Sequence, residues 1–269
     1  MIKHLFYLGI LWLNVNCVFA AKLAVVIDDF GYRQHNEEQI ISFTPNITIA
    51  VLPHSPNAKQ IATRAHQHGN EVIIHLPMAP MGKQSLEKDT LFPDMTEAEV
   101  KRVLDEAVSS VPYAIGVNNH MGSLMTSDFD GMHKVMKALR HHALFFLDSK
   151  TIGKTQVKNT ASDYNIAVVE RDVFLDFRQT ESAISQQFDL AVKIAQKNGY
   201  AIAIGHPYPE TVNVLREKLA NLPSNIELVK ISQLITPLPP KHKPTLKDIF
   251  EKFKKRFEKL PNLNLVKPQ

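Results

Sequence analysis

One cysteine stands in 269 residues, Cys17, and it lies within an apolar N-terminal stretch. So little thiol excludes a cysteine-built zinc site, leaving His and carboxylates as the available metal ligands. Basic charge is also scarce over most of the chain. The formal net charge is +4, yet Lys241 to Lys259 alone holds eight Lys/Arg against three acids, so the remainder is near neutral. That excludes a globally basic nucleic-acid binder. The apolar run from Leu5 to Val15, first interrupted at Asn14, is too short to span a bilayer comfortably. Internal repeats and low-complexity tracts are missing as well.

Both ends of the chain read differently from its middle. Met1-Ile2-Lys3-His4 is a basic start, the apolar run follows, and Val18-Phe19-Ala20 places small residues at −3 and −1. This is the pattern of a secretory signal peptide cleaved after Ala20. Asn14-Val15-Asn16-Cys17 lacks the small and aliphatic residues that lipidation needs. The mature chain would carry no cysteine and no disulfide, which suits an exported protein of the periplasm. At the other end, Thr236-Pro237-Leu238-Pro239-Pro240 marks the close of a domain. Beyond it Leu246, Ile249, Phe250, Phe253, Phe257 and Leu260 follow helical spacing with lysines opposite. That is a basic amphipathic helix, suited to packing on the domain, to a membrane surface or to a protein partner. The expected division is a signal peptide over 1–20, a (β/α) barrel domain over 21–236, and a Pro-rich linker with a basic amphipathic helix over 237–269.

Within the domain, strand-like and helix-like segments alternate. Strands are expected at 23–27, 47–52, 71–76, 114–117, 144–148, 166–169, 200–204 and 226–230. Helices are expected from Ser55-Pro56 (as N-cap and N1) to Gly69, from the capping box Thr96-Glu97-Ala98-Glu99, from Asp128, from Thr180 to Gly199, and from Pro209 to about Leu222. Strand–helix alternation predicts a mainly parallel sheet, either a (β/α) barrel or a doubly wound sheet, with ligands at the carboxyl ends of the strands.

Chemistry-bearing residues gather at those ends. Leu23-Ala24-Val25-Val26-Ile27 is an apolar run that terminates in Asp28-Asp29. Two adjacent acids repel each other, so either a positive ion sits there or the pair belongs to a turn. Val72-Ile73-Ile74 ends in His75, Phe145-Phe146-Leu147 in Asp148, and Ala201 to Gly205 in His206. Gly116-Val117-Asn118-Asn119-His120-Met121-Gly122-Ser123 is too rich in polar groups and glycine for a plain turn. There His120 can ligate a metal, and Asn119 can orient a substrate carbonyl. His206, held by Pro207, has the fixed setting a general acid needs. Asp148, Arg171 and Asp172 also follow strands and are read as groups that orient His or Arg or touch substrate, with Asp176 a weaker candidate. His54 remains a further possibility.

Taken together, Val26-Ile27-Asp28-Asp29-Phe30-Gly31, His75-Leu76-Pro77-Met78, Gly116 to Ser123, Phe146-Leu147-Asp148-Ser149 and Ile204-Gly205-His206-Pro207 resemble the divergent polysaccharide deacetylases. These are an exported branch of the NodB-type carbohydrate esterase superfamily, and the likeness covers roughly Lys22 to Leu234. It implies an irregular (β/α) barrel of the NodB polysaccharide deacetylase type, with seven or eight mainly parallel strands. It also implies a divalent metal, zinc first, held by Asp29 and His75, with Asp28 as base, His206 as general acid and a glycan as substrate. The usual second histidine of the motif would fall on Ala79, and His120, from another strand, can take its place as ligand. The expected activity is removal of acetyl groups from a glycan by metal-activated water. The alternative is an inactive module of the same fold that binds glycan or a protein partner in the cell envelope.

Overall fold

The computed structural model describes residues 20–235. The expected signal peptide (apart from Ala20), the Pro-rich linker and the C-terminal basic helix lie outside the described residues.

Among the described residues nine strands form one sheet: β1 (Ala21–Phe30), β2 (Ile47–Val51), β3 (Glu71–Met78), β4 (Ala114–Met121), β5 (Phe145–Asp148), β6 (Val168–Glu170), β7 (Val173–Phe174), β8 (Tyr200–Gly205) and β9 (Ile226–Leu228). Their order is β6-β5-β4-β3-β2-β1-β8-β7, with β9 added beside β1, and every pairing is parallel. The sheet curls into a half-barrel flanked by helices α1 (Gln34–Phe43), α2 (Ala58–His68), α3 (Glu97–Ser110), α4 (Phe129–Leu139), α5 (Val157–Tyr164), α6 (Glu181–Asn198) and α7 (Pro209–Ala220). This is the irregular, parallel (β/α) architecture that the resemblance implied, with nine strands described where seven or eight were expected.

Side chains alternate along each strand, which divides the core in two. Leu23, Val25, Ile27, Val72, Ile74, Val117 and Phe146 face outward to the helices. Ala24, Val26, Ala50, Ile73, Phe145, Leu147, Ile202 and Ile204 pack inside the curl. Both strand faces are therefore buried, which is why these segments read as continuous apolar runs.

The helix ends follow local chemistry. The Thr96–Glu99 capping box is present, Asp128 accepts from Gly131 N at 2.6 Å, and Thr180 Oγ1 accepts from Ala183 N. Gly69 ends α2 in the left-handed region at φ 94°. One expectation needs correcting: Ser55 is not the cap of α2. Its hydroxyl donates to the Leu52 carbonyl at 2.7 Å, and the helix begins at Ala58 after Asn57. Two helices had no strong periodic signal. In α1, only Ile40, Ile41 and Glu37 are buried, and in α5 only Val157, Thr160 and Ala161.

Candidate active site

The inner rows of the half-barrel run upward into polar residues. On β1 the series Ala24, Val26 continues to Asp28, on β3 Ile73 continues to His75, and on β8 Ile202, Ile204 continue to His206. On β4, Gly116, Asn118 and His120 share the inner face, because Val117 faces out. Gly116 leaves room there for the Phe145 ring, which a Cβ would meet at 2.4 Å.

Alternation would turn Asp29 away from this cluster. Two backbone features bring it back. The β1–β2 register slips between Ile27 and Phe30, a bulge with one extra residue on β1. Asp29 itself sits at φ 58°, in the left-handed region, which costs a non-glycine residue about 1–3 kcal/mol. Glu37, fully buried on α1, stabilises the turn that follows. Its Oε1 accepts the backbone N–H groups of Gly31, Tyr32 and Arg33 at 2.9, 3.0 and 2.6 Å. Gly31, at φ 116°, must lack a side chain because a Cβ would stand 1.8 Å from Ser55 Oγ.

Three donor atoms then converge. Asp29 Oδ1 lies 3.2 Å from His75 Nε2 and 3.0 Å from His120 Nδ1, and the two nitrogens are 3.0 Å apart. Asp29 Oδ1 is buried without a hydrogen-bond partner: both imidazole nitrogens are near, but neither has the alignment of a bond. The other face of His75 fixes its tautomer. Nδ1 is 2.8 Å from Asn118 Oδ1, while Asn118 Nδ2 donates to Asp28 Oδ1 at 2.8 Å. With its N–H groups committed to the carboxylate side, Asn118 offers only an oxygen to His75. Nδ1 therefore carries the proton, and the Nε2 lone pair faces Asp29 and His120.

This donor set fits a divalent cation. Ligand atoms around four-coordinate zinc stand about 3.3 Å apart, and the triangle here has edges of 3.0–3.2 Å. An orphaned buried carboxylate oxygen and an imidazole held in the ligating tautomer are what such an ion requires. The Asp29 and His120 side chains keep 21% and 14% exposure, so one side of the triangle is open to solvent. A second His/Asp/Glu group, His54, Asp89 and Glu106, fits less well. Arg102 already bridges its two acids, with Nη2 3.2 Å from Asp89 and Nη1 2.9 Å from Glu106.

The charges follow from these neighbours. Burial pushes the Asp28 carboxyl above its usual range, against the opposing pull of His75 and His206. Burial acts in the same sense on Asp29, but the two adjacent imidazoles outweigh it and hold that carboxyl far below the usual range. For His206, burial disfavours the charged ring, yet the Asp176 carboxylate overcomes it and raises the imidazole to about 9. Asp176 is buried and fully engaged. Its Oδ1 is 2.9 Å from His206 Nδ1, and its Oδ2 accepts from His206 N at 2.6 Å and Thr211 Oγ1 at 2.9 Å. His206 Nε2 is thereby aimed toward Asp29 Oδ2, 3.9 Å away.

Asp28, Asp29, His75, His120 and His206 thus meet in one cluster, and Arg171 borders it. Arg171 Nε donates to Ser149 O at 2.7 Å and Nη2 to Lys150 O at 3.0 Å. The other three candidates have different contacts. Asn119 faces away from Asn118 and ties loops together, donating to Met121 O and accepting from Ser149 N. Asp148 follows the outward parity of Phe146, is wholly buried, and accepts from Lys150 N. Asp172 accepts from Ile202 N at 2.8 Å, midway along β8. Asn118 and Asp176 are the residues the sequence reading undervalued. Two-residue spacing from His120 marks Asn118; nothing local marks Asp176, which reaches His206 only because β7 pairs with β8.

Comparisons with known proteins give the family and the fold of the chain. Residues 25–235 match the family model described as divergent polysaccharide deacetylase. The chain is 53% identical over 231 residues to the uncharacterized protein YibQ of Escherichia coli, covering 84% of this chain and 72% of that one. Among solved structures, the uncharacterized protein ATU2773 of Agrobacterium tumefaciens aligns with a TM-score of 0.75 at 22% identity, over 80% of this chain and 89% of that one. The peptidoglycan deacetylase PdaC of Bacillus subtilis aligns with a TM-score of 0.52 at 13% identity, over 90% and 97%. At those identities the two structures speak for the fold alone.

Proposed function

The chain belongs to the divergent polysaccharide deacetylases, and from that premise we propose that it is an exported, metal-dependent hydrolase that removes acetyl groups from a glycan. The observation that carries the reading is the triangle of Asp29, His75 and His120, open on one side and flanked by a buried carboxylate and a cationic imidazole. Ala79 stands where the usual second motif histidine would be, and His120 supplies the third donor from β4.

Asp29 Oδ1, His75 Nε2 and His120 Nδ1 would hold the ion, zinc by the character of the donors. Such an ion supplies Lewis acidity, acidifying water and polarising the acyl carbonyl. The residues do the rest. Asp28 has one oxygen bound to Asn118, while Oδ2 stands 3.7 Å from His75 Nδ1, beyond hydrogen-bond reach. Oδ2 is the oxygen that accepts a proton from the attacking water, and its raised proton affinity suits a base. His206, protonated and held by Asp176, gives its Nε2 proton to the leaving amine nitrogen. Asn118 sets both the base and the His75 tautomer. The direct test is acetate release from an N-acetylated oligosaccharide by the zinc-loaded protein; absence of release from such glycans would sink the reading.

Export rests on the leader-like N-terminus. Edman sequencing of the mature protein from a periplasmic fraction is expected to begin at Ala21, and an intact Met1 start in the cytoplasm would contradict it.

A pH prediction follows from His206. Its proton affinity is raised from an ordinary 6.5 to about 9. A cation on Asp29 withdraws part of that support, so the alkaline limb of activity is expected between those values. Asp176→Asn removes the main support and is expected to move the limb toward lower pH. An unmoved limb would separate it from His206. The sign for stability is the same: the folded-state value lies above the ordinary one, so the contribution is complete below 6.5 and is lost as pH rises through about 9.

A further inference from the structure

A cleft of about 410 Å³ opens between β7 and the upper half of α6. One wall is the helix face Ala183, Gln186, Gln187 and Leu190, spaced i, i+3, i+4, i+7. That spacing normally marks a core stripe, but the core of α6 is its other face, Ile184, Phe188, Ala191 and Ala195. Here the stripe carries two amides, and Leu190 is exposed. The opposite wall holds Phe174, Phe177, Arg171 and Arg178. Phe177 is 86% exposed, an unusual setting for a whole phenyl ring on a short loop.

The cleft adjoins the active site. The Phe174 ring lies 5.3 Å from that of His206, and Arg171 stacks over the same phenylalanine at 5.1 Å. Arg171 is rigid because two of its nitrogens are bound to backbone carbonyls. Among the described residues Arg178 has no side-chain hydrogen bond or ion pair. The lining acid, Asp172, is occupied by the Ile202 amide. Two arginines and one acid line the cleft, so its lining carries a net positive charge.

We propose that this cleft is a subsite for a carboxylate-bearing sugar unit of the glycan, lying beside the unit that is deacetylated. The exposed Phe177 ring meets sugar C–H surfaces, Gln186 and Gln187 meet hydroxyl groups, and Arg178 pairs with the carboxylate in the planar, two-bond mode that guanidinium favours. The proposal rests on the deacetylase reading for its substrate class, and its test is a binding measurement that needs no turnover.

The test compares a hyaluronan tetrasaccharide, which alternates N-acetylglucosamine with glucuronate, with neutral chitotetraose, by calorimetry on the mature protein. The acidic probe is expected to bind more tightly. Arg178→Ala is expected to weaken the acidic probe roughly tenfold or more and leave the neutral one unchanged. Phe177→Ala is expected to weaken both. Arg178 and Phe177 are exposed, so neither substitution threatens the fold. Asp29→Asn, which disables the metal triangle, is expected to retain the acidic preference, so failure of hydrolysis and failure of the subsite are read apart. Equal affinity for the two probes, no binding of either, or an acidic preference that survives Arg178→Ala overturns the subsite.

Discussion

Asp28→Asn is expected to lower turnover by about 10²–10⁴-fold, the range that a positioned general base contributes, while leaving zinc affinity nearly intact. The substitution preserves shape. The new amide oxygen can still accept from Asn118 Nδ2, so Asn118 continues to hold His75 in the tautomer that points Nε2 at the triangle. Only the ability to take a proton is lost. The measurement is kcat for acetate release together with zinc titration by calorimetry on the same variant. Full activity would remove Asp28 as the base. Loss of zinc binding along with activity would make it a ligand or a support of the ligands instead.

The second large effect concerns the ion. Zinc at about a hundred times its Kd stabilises a protein that binds it only when folded by about 2.7 kcal/mol. For a domain of this size that is a rise in Tm of roughly 5–10 °C. His120→Ala is expected to abolish that rise and to remove activity. It is the better variant for this test than a change at His75. The His120 side chain keeps 14% exposure, whereas His75 is sealed in the network with Asn118 and Asp28, and its loss would leave buried polar groups unpaired. A wild-type protein without a zinc-dependent shift, or a variant that keeps it, would dissociate the triangle from metal binding.

Much of the architecture is legible in the sequence, for a physical reason. Parallel strands buried on both faces must be continuous apolar runs, and the helices between them carry their caps in plain view at Thr96, Asp128, Thr180 and Gly69. β7 escapes such a reading because two residues give no period. α1 escapes it because its main buried work is done by a glutamate that bonds three backbone amides rather than by an apolar stripe. The cluster is legible in the same way: a strand that ends in His or Asp delivers it to one rim. Alternation from the apolar residues below separates Asn118, His120 and Arg171, on the inner side, from Asn119 and Asp148, on the outer.

The Asp28-Asp29 pair marks the limit. That two acids end β1 is a property of the sequence, and their repulsion already calls for a partner of opposite charge. That both reach the same pocket is decided by tertiary structure. It takes a bulge against β2 and a left-handed Asp29, held by Glu37 and by the close approach of Ser55 to Gly31. Asp176 and His206 meet for a comparable reason, since their separation of thirty residues closes only through the β7–β8 pairing. Local chemistry sets which residues arrive at a strand end. The angle and depth at which they meet depend on contacts between segments distant in sequence, and no local period encodes those.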